Sequence, residues 1–389
     1  MRHGGPARTG RGDRAEPTAW TPAAPENLGS AVGVLGSLPR MSPAHDQVTD
    51  PAHDQVTDPA HDQVTDPAHD QVSDRASEAA ADLGPAPQRL TVTVEDVSRL
   101  VAGQFPQWSH LPVAPVVRGG WDNVTFHLGD DLLVRLPSAT PYSLAVEKEH
   151  RWLPALAAQL PVRIPTPRGL GRPTDDYPLP WSVYGWIAGT RPSRAHLADP
   201  VGLADDLAGF LVALRAVDPT GGPRPGVHNW YRGGSLRTFD DIARRAMADL
   251  DGELDVVLVT EAWEDSLAAP WDGVDTWFHG DVADGNLLVD EQGRLVGVID
   301  FGTCGVGDPS CDLAIAWTLL DKPGRRLLRD RLAVDDASWA RGRGWALWKA
   351  LQNLSGALAD GDPGDDADDA EVVQLREIVT AIVDDYSRS

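Results

Sequence analysis

Two acids and an amide stand close together in Trp277-Phe278-His279-Gly280-Asp281-Val282-Ala283-Asp284-Gly285-Asn286-Leu287-Leu288-Val289, followed by Val298-Ile299-Asp300-Phe301-Gly302. A carboxylate, an amide four intervening residues later and a second carboxylate beyond a short hairpin are the groups that hold a metal–nucleotide complex beside a hydroxyl. Phosphoryl transfer is mostly positioning and charge neutralisation, so one carboxylate must face the nucleophile and two oxygen ligands must hold magnesium. Asp281 is assigned the first role, as catalytic base, and Asn286 and Asp300 the second, as metal ligands. His279 is expected to orient the loop by hydrogen bonding, and Asp284 to face solvent.

Protein kinases carry His-Arg-Asp, four residues, then Asn, with Asp-Phe-Gly further on. Gly280 in place of the arginine resembles the antibiotic and small-metabolite kinases instead, and Gly307-Asp308-Pro309-Ser310-Cys311-Asp312-Leu313-Ala314 continues the likeness. On these motifs the chain resembles the aminoglycoside phosphotransferase family from roughly Leu90 to Leu358, most strongly from Trp277 to Trp317. The resemblance implies an α+β, two-lobed, protein-kinase-like fold with a small β-rich N-terminal lobe and a larger, mainly helical C-terminal lobe. It implies transfer of the γ-phosphate of ATP, with Mg2+, to a hydroxyl of a small molecule. No motif encodes the acceptor: aminoglycosides, macrolides, sugars and amino alcohols stay open, and antibiotic resistance is one use of such chemistry. A GTP-dependent macrolide-type kinase is an alternative, and a nucleotide-binding pseudokinase with a regulatory role is an alternative of another class.

Elements must bring these groups together. Thr93 followed by Asp96 resembles a capping box, and Val94, Val97, Leu100 and Val101 recur at helical spacing, so a helix leads into the first lobe. Strands are expected over Val113 to Val117, Val124 to Leu128 and Leu132 to Leu136. Before the second lies Arg118-Gly119-Gly120-Trp121-Asp122-Asn123, a turn in which Gly119, Gly120 and Asn123 can approach phosphate oxygens. Arg135, on the third strand, stands where the resemblance places a phosphate-holding lysine, and a guanidinium can bridge carboxylate and phosphate. Glu149 is its expected helix partner, with Glu147 the alternative; Lys148 is an alternative anchor for the phosphates, though its neighbours suggest a solvent-facing helix position.

Tyr177 to Trp186 reads as a strand entering a hinge, where Tyr184, Gly185 and Trp186 offer backbone groups to a nucleobase edge. Leu207, Phe210, Leu211 and Leu214 mark a packed helix within Ala204 to Val217, and helices over Trp345 to Leu358 and Val372 to Tyr386 close the larger lobe. Trp230 and Tyr231 can stack on a sugar or macrocycle or pack in the core. Asp308 and Asp312 are read as scaffold, with Asp312 capping a helix that begins at Leu313.

Composition bounds the rest. The octapeptide Pro-Ala-His-Asp-Gln-Val-Thr-Asp occurs four times over residues 43–74, the last copy carrying Ser73; one Val per copy cannot bury a core, so the tract reads as disordered. Met41 is an alternative start to Met1, and Arg11-Gly12-Asp13 is given no role. Residues 1–89 are thus expected to be a low-complexity segment, 90–186 the nucleotide-binding lobe and hinge, and 187–389 the catalytic and acceptor-binding lobe. A net charge of −24 opposes a nucleic-acid surface, which needs clustered Lys and Arg. No apolar run approaches a membrane span, so a cytoplasmic protein with no membrane partner is expected. Cys304 and Cys311 match no usual zinc or redox spacing and read as buried thiols; oligomeric state stays open.

Overall fold

The computed structural model describes residues 87–116, 120, 122–360 and 366–388. The octapeptide repeats, Met41, the Arg11-Gly12-Asp13 tripeptide and Gly119 lie outside the described residues.

Helix α1 (Val94–Gln104) starts as its sequence dictates. Thr93 donates its N–H to Asp96 Oδ2 at 2.9 Å and its Oγ1 accepts from Asp96 N at 3.2 Å, so two otherwise unpaired donors are satisfied reciprocally. Val97, Leu100 and Val101 form the buried stripe. Strands β1 (Val113–Pro115), β2 (Asn123–Leu128) and β3 (Leu132–Pro137) form an antiparallel meander, followed by α2 (Thr140–Ala157). Then come β4 (Pro167–Gly171) and β5 (Trp181–Gly185), completing a five-stranded antiparallel sheet in the order β1-β2-β3-β5-β4. Phe126, Leu128, Val134, Leu136, Trp181 and Val183 pack with α1 in one apolar cluster.

The expected strand over Tyr177 to Trp186 is shorter than its sequence suggested. Pro178 and Pro180 have no N–H for a ladder, and Tyr177 leaves the sheet to donate its hydroxyl to the Pro137 carbonyl at 2.6 Å. The first strand likewise ends at Pro115 among the described residues.

The rest is mainly helical: α3 (Pro200–Arg215), α4 (Asp240–Asp249), α5 (Val256–Ala268), α6 (Ile315–Thr318), α7 (Lys322–Leu332), α8 (Asp336–Asp360) and α9 (Asp366–Tyr386). Asp199 caps α3 by accepting from Gly202 N at 2.9 Å, with Pro200 at the first helical position. Two short ribbons interrupt the helices: β6 (Thr276–Phe278) pairs with β9 (Gly305–Gly307), and β7 (Leu287–Val289) pairs with β8 (Leu295–Val298), all antiparallel. Helix α8 begins at Asp336, well before the expected Trp345. Gly342 and Gly344 hid that first half, because glycine weakens a helix. Here they serve close approach: a Cβ on Gly342 would stand 2.6 Å from Leu313 Cβ, and one on Gly344 2.6 Å from Ser266 Cβ.

The chain thus has the α+β, two-lobed architecture expected from its motifs. Among the described residues no helix is long and apolar enough to cross a membrane.

Candidate active site

Strand register decides which side chains meet. Phe278 pairs with Gly305, so β6 delivers His279, Gly280 and Asp281 beside the segment that leaves β8. Leu287 pairs with Val298, so Asn286 and Ile299 face each other at the open end of that ribbon, and Ile299 donates its N–H to the Asn286 carbonyl at 2.8 Å. Asp300 comes next, at a left-handed φ of 64° that costs an L side chain about 1–2 kcal/mol. Strain of this kind collects where a side chain must be aimed.

The loop between β6 and β7 is fixed from within. Gly280 has φ 87°, and a Cβ there would lie 2.6 Å from the Thr303 carbonyl oxygen and 3.1 Å from Arg232 Cβ. His279 is fully buried; its Nε2 lies 3.0 Å from the Ile299 carbonyl, and its Nδ1 accepts from Asp281 N at 3.2 Å. That pair assigns the neutral Nε2–H tautomer. Asp312 is not a helix cap. It sits inside the 3-10 turn Pro309–Ala314, where its two oxygens accept from His279 N at 2.9 Å and Gly280 N at 2.7 Å. The cap is Asp308, which accepts from Ser310 N at 3.0 Å and also receives Arg341 Nε at 2.7 Å and Nη2 at 3.3 Å. The sequence reading placed the cap four residues late because Pro309 at the first position marks the true start.

Asp281 is held on two sides. Asn286 donates Nδ2 to its carbonyl at 2.9 Å and to its Oδ2 at 3.1 Å, while Lys349, from α8, is ion-paired to Oδ1. Burial pushes the carboxyl's pKa up, but Lys349 and then Arg232 outweigh it, so Asp281 stays below the ordinary carboxylate range. Asp284, expected to face solvent, is half-buried, and burial raises its pKa.

Arg135 is the centre of a second network. It donates Nη1 to Glu149 Oε1 at 3.0 Å and is ion-paired through Nη2 with Asp300. With its amide oxygen turned inward, Asn123 accepts from Arg135 Nε and Nη2 at 3.1 and 2.9 Å. Burial opposes the guanidinium's charge, but Asp300 and Glu149 more than compensate and raise its pKa. Glu149 belongs to the buried stripe of α2 with Tyr142, Val146, Leu153 and Leu156, whereas Glu147 is exposed. Tyr184 is buried and gives its hydroxyl to Glu149.

Lys148 does not face solvent as the sequence suggested. Its Nζ donates to the carbonyls of Gly302 at 2.6 Å and Cys304 at 3.1 Å and lies 3.3 Å from His228 Nδ1. Burial lowers its pKa. One helix therefore holds Arg135 through Glu149 and the segment after Asp300 through Lys148. The free thiols Cys304 and Cys311 are buried; burial pushes Cys304 up to about 11.

Between sheet and ribbons runs a cleft of about 480 Å³. Leu133, Tyr184, Trp186, Ile187 and Leu288 line one end; Gly120, Asn123, Arg135, Asn286 and Asp300 line the other. Its size suits a small ligand. At the hinge, the N–H groups of Gly185 and Trp186 are already given to Thr166 O at 3.1 Å and Asp131 O at 2.8 Å, so these two donors do not face a base. Trp186 packs on His127 with ring centroids 4.3 Å apart. A recess of about 40 Å³ continues the cleft past Asp300 to Asp281, Arg232, His228 and Trp230. There Trp230 and Tyr231 have φ of 54° and 55°, and Trp230 lies 5.8 Å from the Tyr142 ring. Asp122 lines both cavities; burial, then the charge of Asp300, pushes its carboxyl up to about 8.

Among the described residues no group of three or more His, Cys, Asp or Glu forms a metal cage. Asn286 and Asp300 suit a magnesium ion that arrives with a nucleotide, because such an ion takes one or two protein oxygens and completes its shell with phosphates and water. Asn286 spends its NH2 on Asp281, which would leave its oxygen to face such an ion, and the Asp300 side chain is 38% exposed on the cleft wall.

Sequence reasoning missed Lys349, Arg232 and the Tyr184 hydroxyl. Lys349 carried one faint signal, being one of three lysines in the chain, and two of those three lie in this site.

Comparison with known proteins supplies an independent reading. The family model described as "Phosphotransferase enzyme family", APH, matches residues 113–345. The uncharacterised protein YcbJ of Bacillus subtilis (strain 168) is 28% identical over 107 residues, 26% of this chain, and the match spans 35% of that relative's own length. Among solved structures, the GDP and kanamycin complex of APH(2")-IIia superposes with a TM-score of 0.57 at 20% identity, covering 74% of this chain and 98% of that one. The GDP complex of wild-type aminoglycoside 2'-phosphotransferase-IIIa gives 0.55 at 16%, covering 76% and 100%.

Proposed function

Because the chain belongs to the phosphotransferase enzyme family, we propose that it moves the terminal phosphoryl group of a nucleoside triphosphate to a hydroxyl of a small molecule. The observation that carries this reading is the convergence of Asp281, Asn286 and Asp300 at the end of the cleft where Arg135 is held by Glu149. The acceptor hydroxyl donates to Asp281. As its oxygen bonds to phosphorus, the bridging bond to the leaving diphosphate breaks and keeps its electron pair on the diphosphate, and the proton passes to Asp281. Asn286 and Asp300 are the residues that would hold magnesium, which neutralises phosphate charge. Arg135 orients the inner phosphates, and Glu149 with Tyr184 fixes Arg135.

ATP is the donor in this reading. The GDP held by the two superposed aminoglycoside phosphotransferases is a reason to test GTP beside it. The acceptor class follows from no residue named above. A nucleotide-consumption screen with both donors against aminoglycosides, macrolides, sugars and amino alcohols tests the proposal, with Asp281→Asn as control. Turnover is expected for one acceptor class and its loss in the variant. Binding of magnesium nucleotide with no turnover on any acceptor would favour a pseudokinase.

A further inference from the structure

The loop that carries Asp281 contains no cation: Val282, Ala283, Asp284 and Gly285 separate it from Asn286. A transferring phosphoryl group spreads negative charge over three oxygens, and enzymes of this chemistry place positive groups against them. Two cations from elsewhere in the chain reach this spot.

Arg232 comes from the loop between α3 and α4. Its guanidinium stacks over Trp348 at 4.5 Å, with the Trp345 and Phe239 rings at 5.6 and 5.8 Å. Ring faces stabilise the charge and leave the in-plane N–H groups to point outward. Arg232 lines the recess with Asp281 and Asp300, and its buried Nη1 has no hydrogen-bond partner. A charged donor left unpaired costs free energy, and an anion entering the recess beside Arg232 would offset that cost. Gly280 makes the room, since a Cβ there would meet Arg232 at 3.1 Å. Protein kinases put an arginine at that position in the chain. Lys349, the second cation, projects from α8 onto Asp281 and is only 14% exposed.

We propose that Arg232 and Lys349 form an oxyanion site for the terminal phosphoryl group of the donor nucleotide. Arg232 is the preformed donor, held by its aromatic socket. Lys349 neutralises Asp281 while the acceptor is absent and shares its charge with the phosphoryl oxygens once the acceptor hydroxyl engages Asp281. This assignment rests on the phosphotransfer reading above and names residues that no motif supplies.

The test needs no acceptor. Affinities of the wild-type protein, Arg232→Met, Arg232→Lys and Lys349→Met are measured by calorimetry for a non-hydrolysable triphosphate and the matching diphosphate, each with magnesium, in adenine and guanine forms. Both methionine variants are expected to bind the triphosphate analogue about 10- to 100-fold more weakly, the loss of one hydrogen bond to a charged group, with diphosphate affinity unchanged; Arg232→Lys falls between. Unchanged diphosphate affinity also certifies that the variants fold. Equal losses for both nucleotides would reduce the two cations to scaffold and overturn the inference. Unchanged triphosphate affinity would overturn it too. A wild-type protein that binds neither nucleotide would overturn the proposed function itself, a result distinct from either.

Discussion

At the residue scale the site is a balance of charges around one buried carboxylate. Asp281 is buried, which alone would protonate it, and Lys349 with Arg232 reverses that. In the proposed transfer the carboxylate is the working form of Asp281, so activity is expected above its depressed pKa and its loss as pH falls through it. The acid limb of kcat/KM, which reports the free protein, is therefore expected below the ordinary value of 3.8, and Lys349→Met should move it upward. A profile that does not move would separate Lys349 from the base. Asp281→Asn should lower kcat by about 10²- to 10⁴-fold, the usual worth of a positioned base, with magnesium-nucleotide affinity largely intact. Asp300→Ala should instead weaken that affinity, read by titration calorimetry; an unchanged value would remove Asp300 from metal binding.

At the element scale, short 3-10 and ribbon segments hold the chemistry, and the helices hold those segments. Asp312 satisfies two buried N–H groups of the loop before Asp281. Asp312→Ala would leave both unpaired at about 1–3 kcal/mol each, so melting temperature and kcat should fall together; loss of kcat alone would give Asp312 a direct role. Asp308 ties the same turn to α8 through Arg341, with side chains 5% and 9% exposed. Truncating Arg341 to leucine would strand a buried carboxylate and is expected to cost about 3–5 kcal/mol in denaturant unfolding. Helix α2 acts at two points at once, Glu149 on Arg135 and Lys148 on the carbonyls after Asp300. Its position therefore sets both walls of the cleft together.

At the scale of the whole molecule, the octapeptide tract carries one Val per copy and eight Asp over residues 43–74, a composition from which no contribution to a core is expected. Removing residues 1–80 is expected to leave melting temperature and nucleotide affinity nearly unaltered; a fall in either would make the tract part of the fold. The sequence by itself determined α1's capping box, the alternating strands and the Asp281, Asn286 and Asp300 spacing, because these are local patterns whose geometry is fixed within a few residues; the α+β two-lobed architecture was legible through the family resemblance those motifs carry. It also pointed to Glu149 over Glu147, because Glu149 lies just before the apolar Trp152-Leu153 pair; in α2 Glu149 is buried and Glu147 exposed. Only the tertiary structure decided what stands against those groups. Lys349 and Arg232 reach Asp281 from α8 and a distant loop, Lys148 turns inward, Asp312 clamps a backbone instead of capping a helix, and Gly342 and Gly344 become helix contacts. Each depends on elements far apart in the chain coming to rest against one another. Periodicity marks which face of an element is packed, but which side chains meet across two packed surfaces is set by their three-dimensional fit and is written in neither segment alone.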